Sequence, residues 1–179
     1  VLAAILAGVA AGLITTSLHL VLRIPVLLAG LLMSLALYSV NLRIMGTPSV
    51  SLLNADTLLS AFDGWSSSAK DAATIAALGT IAIVALTMLG AFLRTEPGLA
   101  LRATGMNPVA SRAQGVDQRV AVAVALALAN GLAALGGALT AQNQGFAEIN
   151  MGVGTLIAGA GALLLGELLL RPTAATVGR

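Results

Sequence analysis

The chain has 179 residues, of which 58% are hydrophobic and only 9% are charged, and its mean hydropathy is +0.99. A soluble domain is about a quarter charged, so this composition excludes an ordinary soluble protein. The net charge of +2 does not indicate a nucleic-acid partner, because the basic residues lie between apolar blocks and form no patch with aromatic residues. The chain has no cysteine and one histidine, His19, which excludes a disulfide framework and a metal-binding cluster of these residues.

Five apolar blocks follow one another, each approaching or exceeding the roughly 20 residues that a helix needs to cross a bilayer. They cover residues 1–22, 24–40, 72–93, 120–141 and 155–170. The last block would reach only about 24 Å as a helix, so it is buried among neighbours, starts before Thr155, or stops short of one face. The sequence therefore predicts an all-α fold, a polytopic bundle of about five transmembrane spans.

The arginines and lysine predict the orientation of the bundle, since cytoplasmic loops retain positive charge. If the loop at 94–119 is cytoplasmic, alternation also places Arg23, Arg171 and Arg179 inside, and only Arg43 and Lys70 outside. The predicted outer segments carry acidic residues instead, namely Asp56, Asp63, Asp71 and Glu148. One orientation therefore satisfies the whole chain.

Small residues recur inside the spans at the spacing that lets helix backbones approach in lipid. Gly8 and Gly12 form a GxxxG motif, and the fourth span repeats the spacing at Ala133 with Gly137 and at Ala134 with Ala138. These residues predict helix packing. We expect Thr15, Thr16 and Ser17 to hydrogen-bond their own helix backbone.

The outer segment at 41–71 contains apolar residues at helical spacing, with Asp56 as an N-cap and Gly64 near the C-terminal end. These apolar residues are Leu58, Leu59, Phe62 and Trp65. The pattern predicts a short helix in the membrane interface. Two roles remain open for it, a plug on the membrane surface and a docking surface for an extracytoplasmic partner.

The predicted cytoplasmic loop contains signals for a short helix. Asn107 is a good N-cap, Pro108 suits the first helical position, and Gly115 suits a left-handed residue after the last turn. A capped two-turn helix between two spans is either a compact connector or a lever on which a cytoplasmic partner acts.

Four stretches carry a resemblance to a known family: 102–116 (RATGMNPVASRAQGV), 141–154 (AQNQGFAEINMGVG) with Gly166 and Glu167, 24–30 (IPVLLAG) and 37–46 (LYSVNLRIMG). The first two resemble the ABC importer permeases of the branched-chain amino acid and ribose type. The other two are similar to a subgroup labelled as tryptophan or tyrosine importers. The resemblance covers most of the chain, which we then expect to be one permease domain, 1–179, cut from a longer protein at both ends.

The resemblance implies that the loop helix is a coupling helix that docks in a groove of an ATPase subunit. This role would fall within 103–115, on Ala103, Gly105, Asn107, Pro108, Arg112, Gln114 and Gly115. The chain departs from the family at Met106, where an acidic residue is usual, and at Gly159 and Gly161. It contains no GxxxxGK[ST] phosphate-binding motif, so we expect ATP hydrolysis on separate subunits, and no catalytic site or cofactor here.

Polar residues in and between the spans are candidates for the translocation pathway or its gate, because such groups are costly in lipid. They are Asn130, Gln142, Gln144, Glu148, Asn150 and Glu167. Each has a structural alternative: interhelical bonding for Asn130, a solvated loop for the residues at 142–154, and an i,i+4 ion pair with Arg171 for Glu167.

The resemblance favours the membrane-spanning subunit of an ATP-driven importer of a small polar solute, an amino acid, in the bacterial inner membrane. It implies three kinds of protein partner: ATP-binding subunits, an extracytoplasmic solute-binding protein and a second permease subunit. An ion-coupled secondary transporter, in which Glu167 would titrate, and a non-transporting membrane scaffold remain as alternatives.

Overall fold

The structure is a computed structural model that describes residues 1–52 and 67–170. In chain order it contains α1 (Leu2–Leu22), α2 (Val26–Met45), β1 (Ser49–Ser51), α3 (Ser67–Phe92), α4 (Glu96–Met106), α5 (Pro108–Ala113), α6 (Gln118–Gln144), β2 (Phe146–Glu148) and α7 (Met151–Leu170). The interfacial helix predicted from Leu58, Leu59, Phe62 and Trp65 lies outside the described residues. The all-α bundle is confirmed.

Four helices in the described part of the chain are long and apolar enough to cross a membrane: α1, α2, the Ala69–Phe92 part of α3, and α6. The fifth predicted span corresponds to α7, which begins at Met151 and has 20 residues. The fifth span therefore starts before Thr155, which was one of the three explanations offered for its short apolar block. Its apolar Ile157–Gly166 stretch is shorter than the other four spans.

The second span is longer than its apolar block indicates. It continues past Val40 through Asn41 and Arg43, and ends at Met45 where Gly46 takes a left-handed conformation with φ 69°. Polar side chains are tolerated there because both are exposed at the end of the helix, where long basic side chains can reach the interface. Backbone geometry at Gly46, and not the loss of apolar character, ends this helix.

The centre of the fold is the pair formed by α1 and α6, which pack along each other more extensively than any other two described elements. A Cβ on Gly8 would lie 2.5 Å from the Ala134 Cβ and from the Asn130 carbonyl oxygen, and one on Gly12 would lie 2.5 Å from the Leu126 carbonyl oxygen. The GxxxG prediction is therefore correct, since each glycine faces a backbone. In the fourth span Ala134 lies at this contact, whereas a Cβ on Gly137 would meet open space.

The hydroxyl groups in α1 bond within their own helix, as the sequence predicts. Thr15 donates to the Ala11 carbonyl over 2.8 Å, Thr16 to Gly12 over 2.9 Å and Ser17 to Leu13 over 2.9 Å. Thr15 and Thr16 are each 4% exposed. Bonding within the helix satisfies the two buried hydroxyls, so Thr15 and Thr16 need no partner from another helix.

Two short strands connect the ends of distant helices. β1 pairs antiparallel with β2 in the register Ser49 with Glu148, Val50 with Ala147 and Ser51 with Phe146. Leu52 N–H donates to the Gly145 carbonyl and Ile149 N–H donates to the Pro48 carbonyl, which extends the ladder at both ends. The segments after α2 and after α6 therefore lie at the same end of the bundle.

Candidate functional site

The helix α5 is fixed at both ends by hydrogen bonds. The Asn107 side-chain oxygen accepts from the backbone N–H groups of Val109 and Ala110, each over 3.1 Å. At the other end Gly115 N–H donates to the Arg112 carbonyl and Val116 N–H donates to Ser111. This pair of bonds forms a Schellman motif, which requires a left-handed residue, and Gly115 has φ 85°. The predicted caps at Asn107, Pro108 and Gly115 are correct.

A second helix, α4, precedes α5 and is not among the elements predicted from the sequence. Pro97 lies in the first turn, where its missing N–H costs no hydrogen bond. Gly98 is buried, and a Cβ there would overlap the Phe92 carbonyl oxygen and lie 2.6 Å from the Leu93 Cα. Both residues therefore allow α4 to fold back closely on the end of α3.

One residue joins the two helices, and one buried contact holds them together. Asn107 ends α4, where its N–H donates to Ala103, and caps α5. The Thr104 and Ser111 side-chain oxygens lie 2.9 Å apart, and Thr104 donates to the Ala100 carbonyl over 2.8 Å. Since a hydroxyl has one proton, Ser111 is the donor to Thr104. We call Glu96–Ala113 with this contact the α4–α5 unit.

The residues predicted to couple to an ATPase lie on the outside of the α4–α5 unit and just beyond it. All are exposed: Ala103, Gly105, Asn107, Pro108, Arg112, Gln114 and Gly115. Thr104 and Ser111, which sequence reasoning did not select, are 8% and 2% exposed and form the interior. The exposed face also holds Met106, 88% exposed, and Val109, 79% exposed. The α4–α5 unit thus presents a mixed apolar and polar surface.

The candidate translocation residues do not form one cluster. Asn130 is part-buried in the middle of α6, and its amide donates to the Leu126 carbonyl of the same helix over 2.9 Å. Its own carbonyl faces Gly8. The side-chain amide therefore donates within α6, while the backbone at this position contributes to the packing against α1.

The segment at 142–154 is not a solvated loop, so that structural alternative is wrong, while a role of its residues in the pathway or gate stays a prediction. Gln142 and Gln144 lie in the last turn of α6, Glu148 is on β2 opposite Ser49, and Asn150 lies in the turn before α7. Gly145, with φ 74°, ends α6 by donating its N–H to the Ala141 carbonyl. The strand that follows is stabilised by pairing with β1, a long-range contact that the local sequence does not indicate.

The last candidate, Glu167, lies on α7. Its predicted ion-pair partner, Arg171, is outside the described residues, so the pairing stays a prediction.

The candidate coupling residues and two of the candidate pathway residues lie at opposite ends of the bundle. The α4–α5 unit lies at one end, together with the end of α1, because His19 and Arg23 share a cavity with Arg112, Gln118 and Arg119. Glu148 and Asn150 lie at the opposite end with β1 and β2. This arrangement agrees with the alternation of loops inferred from the charges.

A model of the family described as branched-chain amino acid transport system, permease component, matches residues 1–178. The chain belongs to this family. The permease is 37% identical over 170 residues to a tyrosine transport system permease protein of Clostridioides difficile (strain R20291), covering 95% of this chain and 55% of that protein. It is 39% identical over 166 residues to the uncharacterized protein RP368 of Rickettsia prowazekii (strain Madrid E), covering 92% and 56%.

The permease spans about half the length of these curated relatives. No solved structure matches it. The family match and the apolar helices together make the chain part of a multi-pass membrane protein of the transport-permease type.

Proposed function

We propose that this permease is the membrane-spanning subunit of an ATP-driven importer in the bacterial inner membrane, in which the α4–α5 unit couples ATP hydrolysis to movement of the spans. The observation that carries the proposal is the set of hydrogen bonds that holds that unit together, from which we infer that it is rigid. Its two helices are joined at Asn107, bonded through Thr104 and Ser111, and closed at Gly115 by the Schellman motif.

Rigidity matters because a force is transmitted only through elements that do not yield. The α4–α5 unit follows α3 after three residues and is followed after four residues by α6, so displacement of its exposed face acts on both spans. Close packing at Gly98 joins α4 to the end of α3. Since α6 packs along α1, motion delivered to α6 also reaches the first span.

The partner chemistry follows from the exposed face. Met106 and Val109 offer apolar contact area and Arg112 offers a charge, a combination suited to a groove in a cytoplasmic ATPase subunit. A solute-binding protein would act at the opposite end, near β1 and β2, and a second permease subunit would complete the pathway through the membrane. Asn130, Gln142, Gln144, Glu148, Asn150 and Glu167 remain the candidates for the pathway or its gate.

The proposed substrate is a small polar solute of the amino-acid class. Support comes from the family description and from the tyrosine transport permease of Clostridioides difficile. An aromatic amino acid is accordingly the first substrate to test.

Reconstitution tests the proposal. Proteoliposomes containing the permease, its ATPase subunit and the solute-binding protein should accumulate labelled tyrosine or another amino acid only when ATP is supplied on the ATPase side. Uptake that needs an ion gradient and no ATPase would identify a secondary transporter instead. Absence of uptake of any amino acid under both conditions, with assembly intact, would favour a scaffold.

The orientation needs its own test, and the structure selects the labelling position. Ser111 is only 2% exposed, whereas Val109 is 79% exposed. Because the chain has no cysteine, Val109→Cys gives a single reactive thiol. We expect an impermeant maleimide to label it in inside-out vesicles and not in intact cells, while Ser49→Cys on β1 should show the reverse pattern.

A further inference from the structure

A basic cavity of about 330 Å³ lies where α1 ends and α6 begins. His19, Leu20 and Arg23 line it from α1 and the residue after it, Arg112 lines it from α5, and Gln118, Arg119 and Val122 line it from α6. Three arginine residues from three separate segments therefore line one space. No aspartate or glutamate is among the described residues that line the cavity. The positive charge of the arginines is therefore not neutralised by a carboxylate of the lining.

The turn that positions Arg23 is fixed by a side chain of the same cavity. Arg23 has φ 54°, a left-handed conformation that no other non-glycine residue of ranges 1–52 and 67–170 adopts. His19 donates from Nδ1 to the Ile24 carbonyl over 2.6 Å, which closes the chain around Arg23. Arginine is not favoured in this conformation, so the surrounding fold holds the Arg23 backbone at this corner against its local preference.

The arginines from the other two elements also have a defined arrangement. Arg112 donates from a guanidinium nitrogen to the Gln118 side-chain oxygen, which orients it and leaves other N–H donors of the group free for a ligand. Arg119 lies next in the chain to Gln118, in the first turn of α6. Planar guanidinium groups match the oxygens of phosphate especially well.

The surroundings of the cavity are those of a membrane boundary. Leu20 and Val122 line its apolar side, and the neighbouring side chains Val21, Leu22 and Val120 are 77%, 57% and 59% exposed. An occupant here meets cations on one side and apolar surface on the other. We propose that this cavity binds the phosphate of an anionic phospholipid headgroup, whose acyl chains lie along the exposed residues of α1 and α6.

A lipid fits this position better than an acidic group of a protein partner. The cavity is built chiefly from the ends of two membrane-spanning helices, and only Arg112 belongs to the α4–α5 unit. Basic pockets at the ends of transmembrane helices are suited to anionic headgroups. Occupancy would bridge α1, α5 and α6, and would thus stabilise the α4–α5 unit against the bundle.

Native mass spectrometry of the purified permease in detergent tests the inference. Phosphatidylglycerol is titrated against phosphatidylcholine, and inorganic phosphate is titrated separately. The variants are Arg119→Gln and Arg23→Asn, since asparagine tolerates the left-handed conformation. Arg94→Gln is the control, because Arg94 is exposed and does not line the cavity. The melting temperature of each variant shows whether it is folded.

We expect wild type and Arg94→Gln to retain phosphatidylglycerol in preference to phosphatidylcholine, and each cavity variant to bind phosphatidylglycerol about fivefold more weakly. The proposal is overturned if folded Arg119→Gln binds as tightly as Arg94→Gln. It is also overturned if inorganic phosphate binds as well as the lipid, which would assign the cavity to a free anion. Loss of ATPase-subunit binding by the cavity variants in lipid-free detergent would assign it to a protein partner instead.

Discussion

The Ser111 hydroxyl donates a hydrogen bond to the Thr104 hydroxyl across 2.9 Å, although the two residues are seven positions apart and belong to different helices. Thr104 donates its own proton to the Ala100 carbonyl, so the bond continues into the backbone of α4. The Ser111 carbonyl also accepts the Val116 N–H in the Schellman motif after α5. One residue thus connects the end of α5 to the helix before it.

Removing this bond should loosen α5 without disturbing the spans. Ser111→Ala leaves Thr104 bonded to Ala100 and deletes only the link between the helices, which should cost about 1 kcal/mol. Hydrogen exchange of the α5 amides should accelerate about fivefold, with exchange in α1 and α6 unchanged. Ser34→Ala is the matched control, because Ser34 is exposed and bonds only to Leu31 in its own helix. Equal exchange in both variants would contradict a linking role.

Two glycines of α4 should respond oppositely to alanine. Gly98→Ala places a methyl group against the Phe92 carbonyl and the Leu93 Cα, whereas the position of Gly105 has no neighbour within 4 Å. Overpacking should destabilise Gly98→Ala by about 1–3 kcal/mol, while Gly105→Ala should be neutral or gain up to about 1 kcal/mol of helix propensity. Limited proteolysis between α3 and α5 would measure the difference. Equal sensitivity would mean that α4 does not fold back on α3.

The α1–α6 contact predicts a similar contrast between spans. A methyl group on Gly12 would lie 2.5 Å from the Leu126 carbonyl oxygen and 2.8 Å from the Ala127 Cα, whereas Gly30 on α2 faces open space. We expect Gly12→Ala to lower the melting temperature of the purified protein and Gly30→Ala to leave it unchanged or raise it. A Gly12→Ala protein as stable as Gly30→Ala would show that the two backbones do not approach this closely.

The spans and the caps of α5 could be predicted from sequence because each depends on residues that are neighbours in the chain. Asn107, Pro108 and Gly115 determine the ends of a helix only one or two turns long. The length of an apolar block can be counted directly and compared with the length needed to cross a bilayer. Gly8 and Gly12 could be assigned to packing for the same reason, since their spacing places them on one helix face. Their partner helix, α6, could not be identified from that spacing.

The features that escaped prediction depend on contacts between distant segments. Gly98 allows α4 to fold back on the end of α3, and β2 pairs with the distant strand β1. Ser111 and Thr104 are ordinary surface residue types whose burial depends on how two helices fold together. Arg23 and Arg119 are far apart in the chain, so only the structure shows that they share a cavity.

The strand pairing can be tested by disulfide formation, because the chain has no cysteine of its own. Ser51 and Phe146 are directly opposite in the register, and opposite residues lie at a separation that a disulfide can span. The pair Ser51→Cys and Phe146→Cys should therefore cross-link on mild oxidation. The diagonal pair Ser51→Cys and Glu148→Cys, about 7–8 Å apart, should cross-link poorly. Equal yields would contradict the register.

The central claim is that the α4–α5 unit couples a partner ATPase to the spans, and Gly115 offers its most direct test. Gly115 has φ 85° and no neighbour within 4 Å, so Gly115→Val acts on backbone conformation at the end of α5, at a cost of about 1 kcal/mol or more. Gly79→Val on α3, also in open space within a helix, controls for insertion of valine.

The decisive measurement is substrate-stimulated ATP hydrolysis by the reconstituted complex of the permease, the ATPase subunit and the solute-binding protein. Both variants should insert and remain folded, because neither touches the α1–α6 contact. We predict that Gly115→Val lowers the stimulated rate about fivefold or more and that Gly79→Val retains it. Wild-type stimulation and normal ATPase binding in Gly115→Val, and also in Arg112→Glu, would show that the α4–α5 unit is only a connector.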